Sequence, residues 1–129
     1  MVTATRQGEP YCVRPSNGHS VVLAGTQKEG RGGKAGMRPH ELLESALAAC
    51  ICVSIDMAAE RAGVTLPAVM MQVAIDRQDL ETGFAVSLHF AAELSPEQAA
   101  LAREAVRASP VARTPGKPIV IRPAVVVTA

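Results

Sequence analysis

The sequence predicts an α+β fold, with antiparallel sheets around one long central helix. Three observations carry this. First, Arg38 to Val64 reads RPHELLESALAACICVSIDMAAERAGV, and its middle, Ala46 to Val53, is apolar without a break. A helix apolar on every side is a buried helix. Second, two later segments alternate with period two and are separated by a turn, the mark of paired strands. Third, the strands follow one another as hairpins instead of alternating singly with helices. That order belongs to antiparallel α+β folds and not to doubly wound ones. A chain of 129 residues fits one domain, 1–129.

Each element has its own signals. Met1 to Gly8 is a polar lead-in that could form an edge strand. Tyr11 to Arg14 suits a short strand, and Pro15-Ser16-Asn17-Gly18 is turn chemistry. His19 to Ala24 would then return as a second strand. Gly25 to Met37, GTQKEGRGGKAGM, is rich in glycine with no apolar pattern, and is expected to be a flexible loop. It lacks the spacing of a phosphate-binding loop. The long helix is expected over Pro39–Ala62. Pro39 suits the first turn, where its missing N–H costs nothing. Glu41 and Glu44 complement the positive end of the helix dipole. Gly63 supplies a left-handed stop. Such a helix would run roughly 36 Å.

Beyond it, Val69, Met71, Val73 and Ile75 alternate with more polar positions, as do Phe84, Val86, Leu88 and Phe90 after the Asp79–Gly83 turn. Ser95-Pro96-Glu97-Gln98 is a capping box with proline in the first helical position, opening a second helix that runs to about Ala108. Pro110 stops it. Pro118 to Ala124, containing Ile119, Val120 and Ile121, is expected to be a last short strand. A chain this small cannot cover so long a helix on all sides, so a second copy is expected to help: the protein should be a homodimer.

Composition excludes several classes of function. Net charge is +1, from 13 basic and 12 acidic residues, which suggests neither a nucleic-acid nor an anionic-membrane partner. Aromatic residues make up only 2% of the chain, so the stacking groups of single-strand binders are missing. Three cysteines without paired spacing argue against a secreted disulfide framework and for reduced thiols in the cytoplasm. MVTATRQGEPY has no apolar core of signal-peptide length. Glu44, Ser54, Asp56 and Glu60 on the long helix argue against a membrane span.

The groups that can carry chemistry are Cys50, Cys52, Cys12, Glu41, His40 and an arginine from the first half, such as Arg14. At about 100° per residue, Cys52 lies about 200° around the helix from Cys50, so the two cannot pair. Glu41 is about 180° from Cys50 and roughly 13 Å along the axis, and if it serves Cys50 it does so from another subunit. His40 is closer in angle but roughly 15 Å along the axis. The helical neighbours of Cys50 are Ala46, Leu47, Val53 and Ser54. This mostly apolar setting alone would raise the thiol pKa and leave it inert. Reactivity is therefore expected to need an imported cation, an arginine being the natural choice. Buried cysteines often only pack, and His89, Arg103, Glu104 and Arg107 suit plain surface. His19, His40 and His89 show no metal-ligand spacing with each other or with the cysteines, so neither metal nor cofactor is expected.

Met37 to Gly63 resembles the OsmC/Ohr family of osmotically inducible and organic hydroperoxide resistance proteins. Members have a Pro-x-Glu-Leu-Leu helix start, a small-residue stretch and then a cysteine. GRGGKAG is similar to the family's glycine-rich approach to that helix. Downstream, EAVRASPVARTPGKPIVI resembles its second motif, a helix ending in Cys-Pro-x-x-x-Thr before a strand. The resemblance covers nearly all of the chain from about Tyr11. It implies an intertwined homodimer with the long helices at its centre. It also implies reduction of organic hydroperoxides or hydrogen peroxide by two cysteines, the first becoming a sulfenic acid and the second closing a disulfide. The first cysteine matches Cys50. The second matches Ser109, which cannot form that disulfide. The family's glutamate, which orients an arginine against the thiolate, matches Glu41 in the OsmC pattern; in the Ohr pattern the acid falls on His40. The arginine has Arg14 as its match, with Arg6 as the fallback. Two functions follow: a one-cysteine peroxidase dependent on an external thiol reductant, or a dimer that binds a small hydrophobic molecule and has lost the cycle with Ser109.

Overall fold

The computed structural model describes residues 1–128. By contacts the chain divides into two compact units. The first comprises Met1–Ala48 and Met70–His89, and the second Ala49–Val69 and the chain from Phe90 onward.

In the first unit, β1 (Thr3–Arg6), β2 (Cys12–Ser16) and β3 (Ala24–Gly25) form an antiparallel sheet in that order. The turn after β2 is built by Asn17, whose side-chain oxygen accepts the amides of His19 at 2.9 Å and Ser20 at 2.7 Å. The expected strand over His19–Ala24 is shorter than the sequence suggested. Only Val21 bridges back to Ser16 before pairing resumes at Ala24. The expected loop over Gly25–Met37 is not featureless either. It holds a small hairpin, β4 (Gln27–Lys28) with β5 (Arg31–Gly32), whose reversal uses the positive φ of Glu29 and Gly30. Strands of two residues are too short for any hydrophobic period to show. The chain then runs beside β3, where the Gly25 amide bonds the Met37 carbonyl at 3.1 Å. A Cβ on Gly36 would collide with the Leu23 carbonyl, so this close approach requires glycine.

The long helix, α1, spans Pro39–Ala62 as the sequence predicts. Glu41 reaches back to the Arg38 amide at 2.8 Å, satisfying a donor at the helix entry. At the far end the Gly63 amide bonds the Glu60 carbonyl and the Val64 amide bonds the Ala59 carbonyl, with Gly63 left-handed. That is the Schellman stop. In the first unit Glu44 accepts the Ile75 amide at 2.7 Å, tying α1 to β6 (Val69–Arg77). β6 pairs with β7 (Thr82–Phe90) across a turn closed by the Gln78 amide on the Glu81 carbonyl. Their inward and outward residues alternate as predicted, and His89 is exposed.

The second unit is helical. α2 (Pro96–Ala108) opens on the Ser95–Gln98 capping box, with both reciprocal bonds present. It is followed directly by the short α3 (Pro110–Arg113). The buried residues are Ile51, Ile55 and Ala59 of α1 with Ala102, Ala105 and Ser109. Gln98 Nε2 bonds the Thr65 carbonyl at 3.1 Å, which sets α2 antiparallel to this half of α1.

Within one chain α1 buries a single stripe, Leu47, Ile51, Ile55 and Ala59, while Leu43, Val53 and Met57 are 48%, 57% and 44% exposed. One expectation needs correction. Pro118–Ala124 does not form the expected strand: it is exposed and unpaired among the described residues, and Pro118 and Pro123 lack the N–H that a strand ladder needs.

Candidate active site at Cys50 and Ser109

Cys50 lies half-buried in the middle of α1. Ser109 sits at the corner where α2 ends and α3 begins, and it is fully buried. Its backbone is extended, with φ −56° and ψ 128°, because the proline that follows excludes the helical region. The Arg113 amide returns to the Ser109 carbonyl at 3.0 Å and fixes the corner. The Ser109 hydroxyl caps neither helix. It donates instead to Cys50 Sγ at 3.1 Å.

Two more groups act on the same sulfur. Pro110 has no N–H, so the first free amide of α3 is that of Val111, and its influence favours the Cys50 thiolate. The Ser54 hydroxyl, one turn on along α1, is the weaker third. Ser109 contributes most, and together these donors hold the Cys50 thiol below its ordinary pKa against the opposing effect of burial. Hydrogen bonds to the charged form favour it. From its helical neighbours alone the thiol is expected to be inert unless an arginine approaches. The structure supplies neutral donors instead, two of them from a segment far away in sequence.

The other expected site residues each have surroundings of their own. Glu41 belongs to the first unit, where its carboxylate holds Arg38, with Nε at 3.0 Å and Nη2 at 2.9 Å. The backbone and side chain of Arg38 hold the Glu41 carboxyl below the usual carboxylate range. Arg14 is exposed on β2 opposite Thr5, and Arg6 lies opposite Val13. Neither forms an ion pair with Glu41 among the described residues. The partner of Glu41 is thus Arg38, an i, i+3 neighbour that helix spacing would have picked out. His40 is exposed beside it. Cys12 is buried on β2, and Cys52 is half-buried on α1. Among the described residues no group of three or more His, Cys, Asp or Glu is placed to hold a metal ion.

A groove of about 400 Å³ opens beside Cys50. Val53, Met57 and Ala58 of α1 line one wall, and Leu101, Ala105 and Ala108 of α2 line the other. Arg61 lies at the far end, eleven residues along α1 from Cys50. At about 1.5 Å per residue the groove runs roughly 16 Å. The groove that opens beside the Cys50 sulfur is mostly apolar, with Glu104 and Arg61 as the charged residues of its lining.

A family model described as OsmC-like protein matches residues 30–123. A search of curated protein sequences finds no match. Among solved structures, a Psychrobacter arcticus protein described as an osmotic stress induced and detoxification response protein superposes with a TM-score of 0.71 at 16% identity, covering 88% of this chain and 85% of that one. An OsmC-like protein of Mycoplasma pneumoniae gives 0.70 at 16% identity over 90% and 86%. A Vibrio cholerae protein described as an organic hydroperoxide resistance protein, with captopril bound in one of its active sites, gives 0.60 at 24% identity over 88% and 83%. At these identities the likeness speaks to the fold.

Proposed function

The chain belongs to the family of OsmC-like proteins, and from that premise we propose that it is a one-cysteine thiol peroxidase acting as a homodimer. One observation carries the reading: the fully buried Ser109 hydroxyl donates to Cys50 Sγ at 3.1 Å and favours the thiolate. The thiolate attacks the distal oxygen of a hydroperoxide. The S–O bond forms as the O–O bond breaks, the leaving alkoxide takes a proton from water, and Cys50 becomes a sulfenic acid. Ser109 cannot condense with it, so an external thiol must. That thiol forms a mixed disulfide and releases water, and a second equivalent returns Cys50 to the thiol. The hydroperoxide resistance protein that holds captopril, itself a thiol, supports a site of this family accepting such a molecule. In this reading the donors at Cys50 replace the arginine expected from Arg14, and Glu41 positions Arg38.

The test is intact mass after one equivalent of cumene hydroperoxide with a sulfenic-acid trap present. We expect one trapped adduct, located at Cys50. An unmodified chain would leave only the reading in which the groove binds a hydrophobic molecule without chemistry.

The dimer is supported by α1. Leu43, Val53 and Met57 lie open on one chain, and burying each such side chain contributes about 1.5–3 kcal/mol. A second copy is the cover that fits a helix apolar all round. By length and composition alone α1 would also cross a membrane. Exposed Asp56 and Glu60, and the Glu44 bond to β6, favour a core helix instead. Light scattering at micromolar concentration should give twice the mass of one chain; the mass of a single chain would refute the dimer.

A further inference from the structure

The turn between β1 and β2 holds a residue that does not suit it. Glu9, Pro10, Tyr11 and Cys12 form the turn, closed by the Cys12 amide on the Glu9 carbonyl at 3.3 Å. Proline second and a left-handed residue third is the type II pattern, whose third residue is ordinarily glycine. Here that residue is Tyr11, with φ 61°. A side chain of this bulk is held in that region only where its surroundings impose it. What surrounds Tyr11 is the β4–β5 hairpin. The Arg31 guanidinium lies over the ring, 5.7 Å from its centroid, within reach of a cation–π attraction. A Cβ on Gly32 would come within 3.1 Å of the ring, and one on Gly33 within 2.8 Å of the Glu9 carboxylate. The returning strand therefore presses onto the β1–β2 turn. Little else holds the tip of the hairpin: each strand is two residues long, and Lys28, Glu29, Gly30 and Arg31 are exposed.

The same hairpin borders a polar cavity of about 470 Å³ in the first unit. Thr26, Gln27, Gly33 and Lys34 line it from the hairpin side, and Arg38 and Glu41 from the start of α1. Glu41 holds Arg38, while Lys34 forms no ion pair among the described residues. We propose that β4–β5 is a strap which the Tyr11 ring latches away from this cavity. With Arg31 released from the ring, the strap folds inward and the Lys34 ammonium moves onto the Glu41 carboxylate, in competition with Arg38. Opposite charges across the cavity supply the attraction, and the latch opposes it. Tyr11 thus decides whether Glu41 serves Arg38 alone. None of Leu43, Val53 and Met57, the α1 side chains that a second copy covers, takes part, and neither does Cys50.

The test uses the whole chain in its native assembly, as the parent and as Tyr11→Gly, Arg31→Gln and Tyr11→Phe. Two quantities are read by peptide mapping: hydrogen exchange over residues 27–33 and carbodiimide coupling of Lys34 to Glu41, which joins only groups in contact. Tyr11→Gly removes the ring and relaxes the turn at once; Arg31→Gln removes the cation and leaves the turn alone. We expect both to raise exchange in the hairpin and the Lys34–Glu41 coupling at least tenfold, with β1, β2 and α1 exchanging as in the parent. Tyr11→Phe keeps the ring and should match the parent in both readings. Exchange that rises across the whole first unit would make Tyr11 a support of the sheet and overturn the inference. An unchanged hairpin overturns it too, as does a freed hairpin without added coupling.

Discussion

Ser109→Cys is expected to close a disulfide to Cys50 on mild oxidation, and the variant should turn over hydroperoxide with a dithiol reductant. The Ser109 oxygen is already 3.1 Å from Cys50 Sγ. A disulfide needs sulfurs about 2.05 Å apart, and the longer C–S bond of cysteine carries the new sulfur toward its partner. Ser109 is fully buried, and its corner is held by Pro110 and by the Arg113 amide, so the introduced thiol has little freedom to swing away. The bridge would join residues 59 apart. On the chain-entropy model a loop of that size stabilises the fold by roughly 4 kcal/mol. Oxidised and reduced forms should therefore melt at clearly different temperatures. A folded, dimeric variant that forms no such bond would mean that the corner is misplaced, and the peroxidase reading would go with it.

Ser109→Ala should slow alkylation of Cys50 at neutral pH by roughly tenfold or more. A hydrogen bond to a charged group contributes about 1.5–3 kcal/mol, and about 1.4 kcal/mol is a factor of ten in the thiolate fraction. The sign follows from the direction of the shift. Ser109 stabilises the thiolate and lowers the Cys50 pKa, so removing the hydroxyl moves the alkylation curve to higher pH. Cys52 serves as the internal reference: Cys50 should label faster in the parent chain, and the gap should narrow in the variant. An unchanged pH profile would mean that the hydroxyl only fills space.

The sequence showed the long helix to the residue because every one of its signals is local. Pro39, Glu41 and Gly63 act within a turn of themselves, and the structure uses each as read. The capping box at Ser95 and the alternation of β6 and β7 were visible for the same reason. What escaped was set by contacts at long range. The β4–β5 hairpin has too few residues to show a period. The Val111 amide carries no side-chain signature at all, and its role depends on Pro110 turning α3 toward α1. In the sequence Ser109 stands only at the place of the family's second cysteine. That its hydroxyl would activate the thiol follows from the fold and not from spacing. Arg38 as the partner of Glu41 is legible from spacing alone, since it lies three residues before it.

The unpaired segment after Lys117 bears on how the chain escapes aggregation. Ile119, Val120 and Ile121 are 68–90% exposed, and Val125, Val126 and Val127 are 85–87% exposed. Rich in β-branched residues and open, such a segment invites other chains to add to it as cross-β stacks. Pro118 and Pro123 act as gatekeepers: each removes a backbone donor, and with Arg122 they limit the bulky apolar runs to three residues. Replacing Pro123 with valine would lengthen the second run to five residues and leave Arg122 as the one break between the two runs. The variant should then appear in inclusion bodies and bind thioflavin T, even with Cys50 and Ser109 untouched.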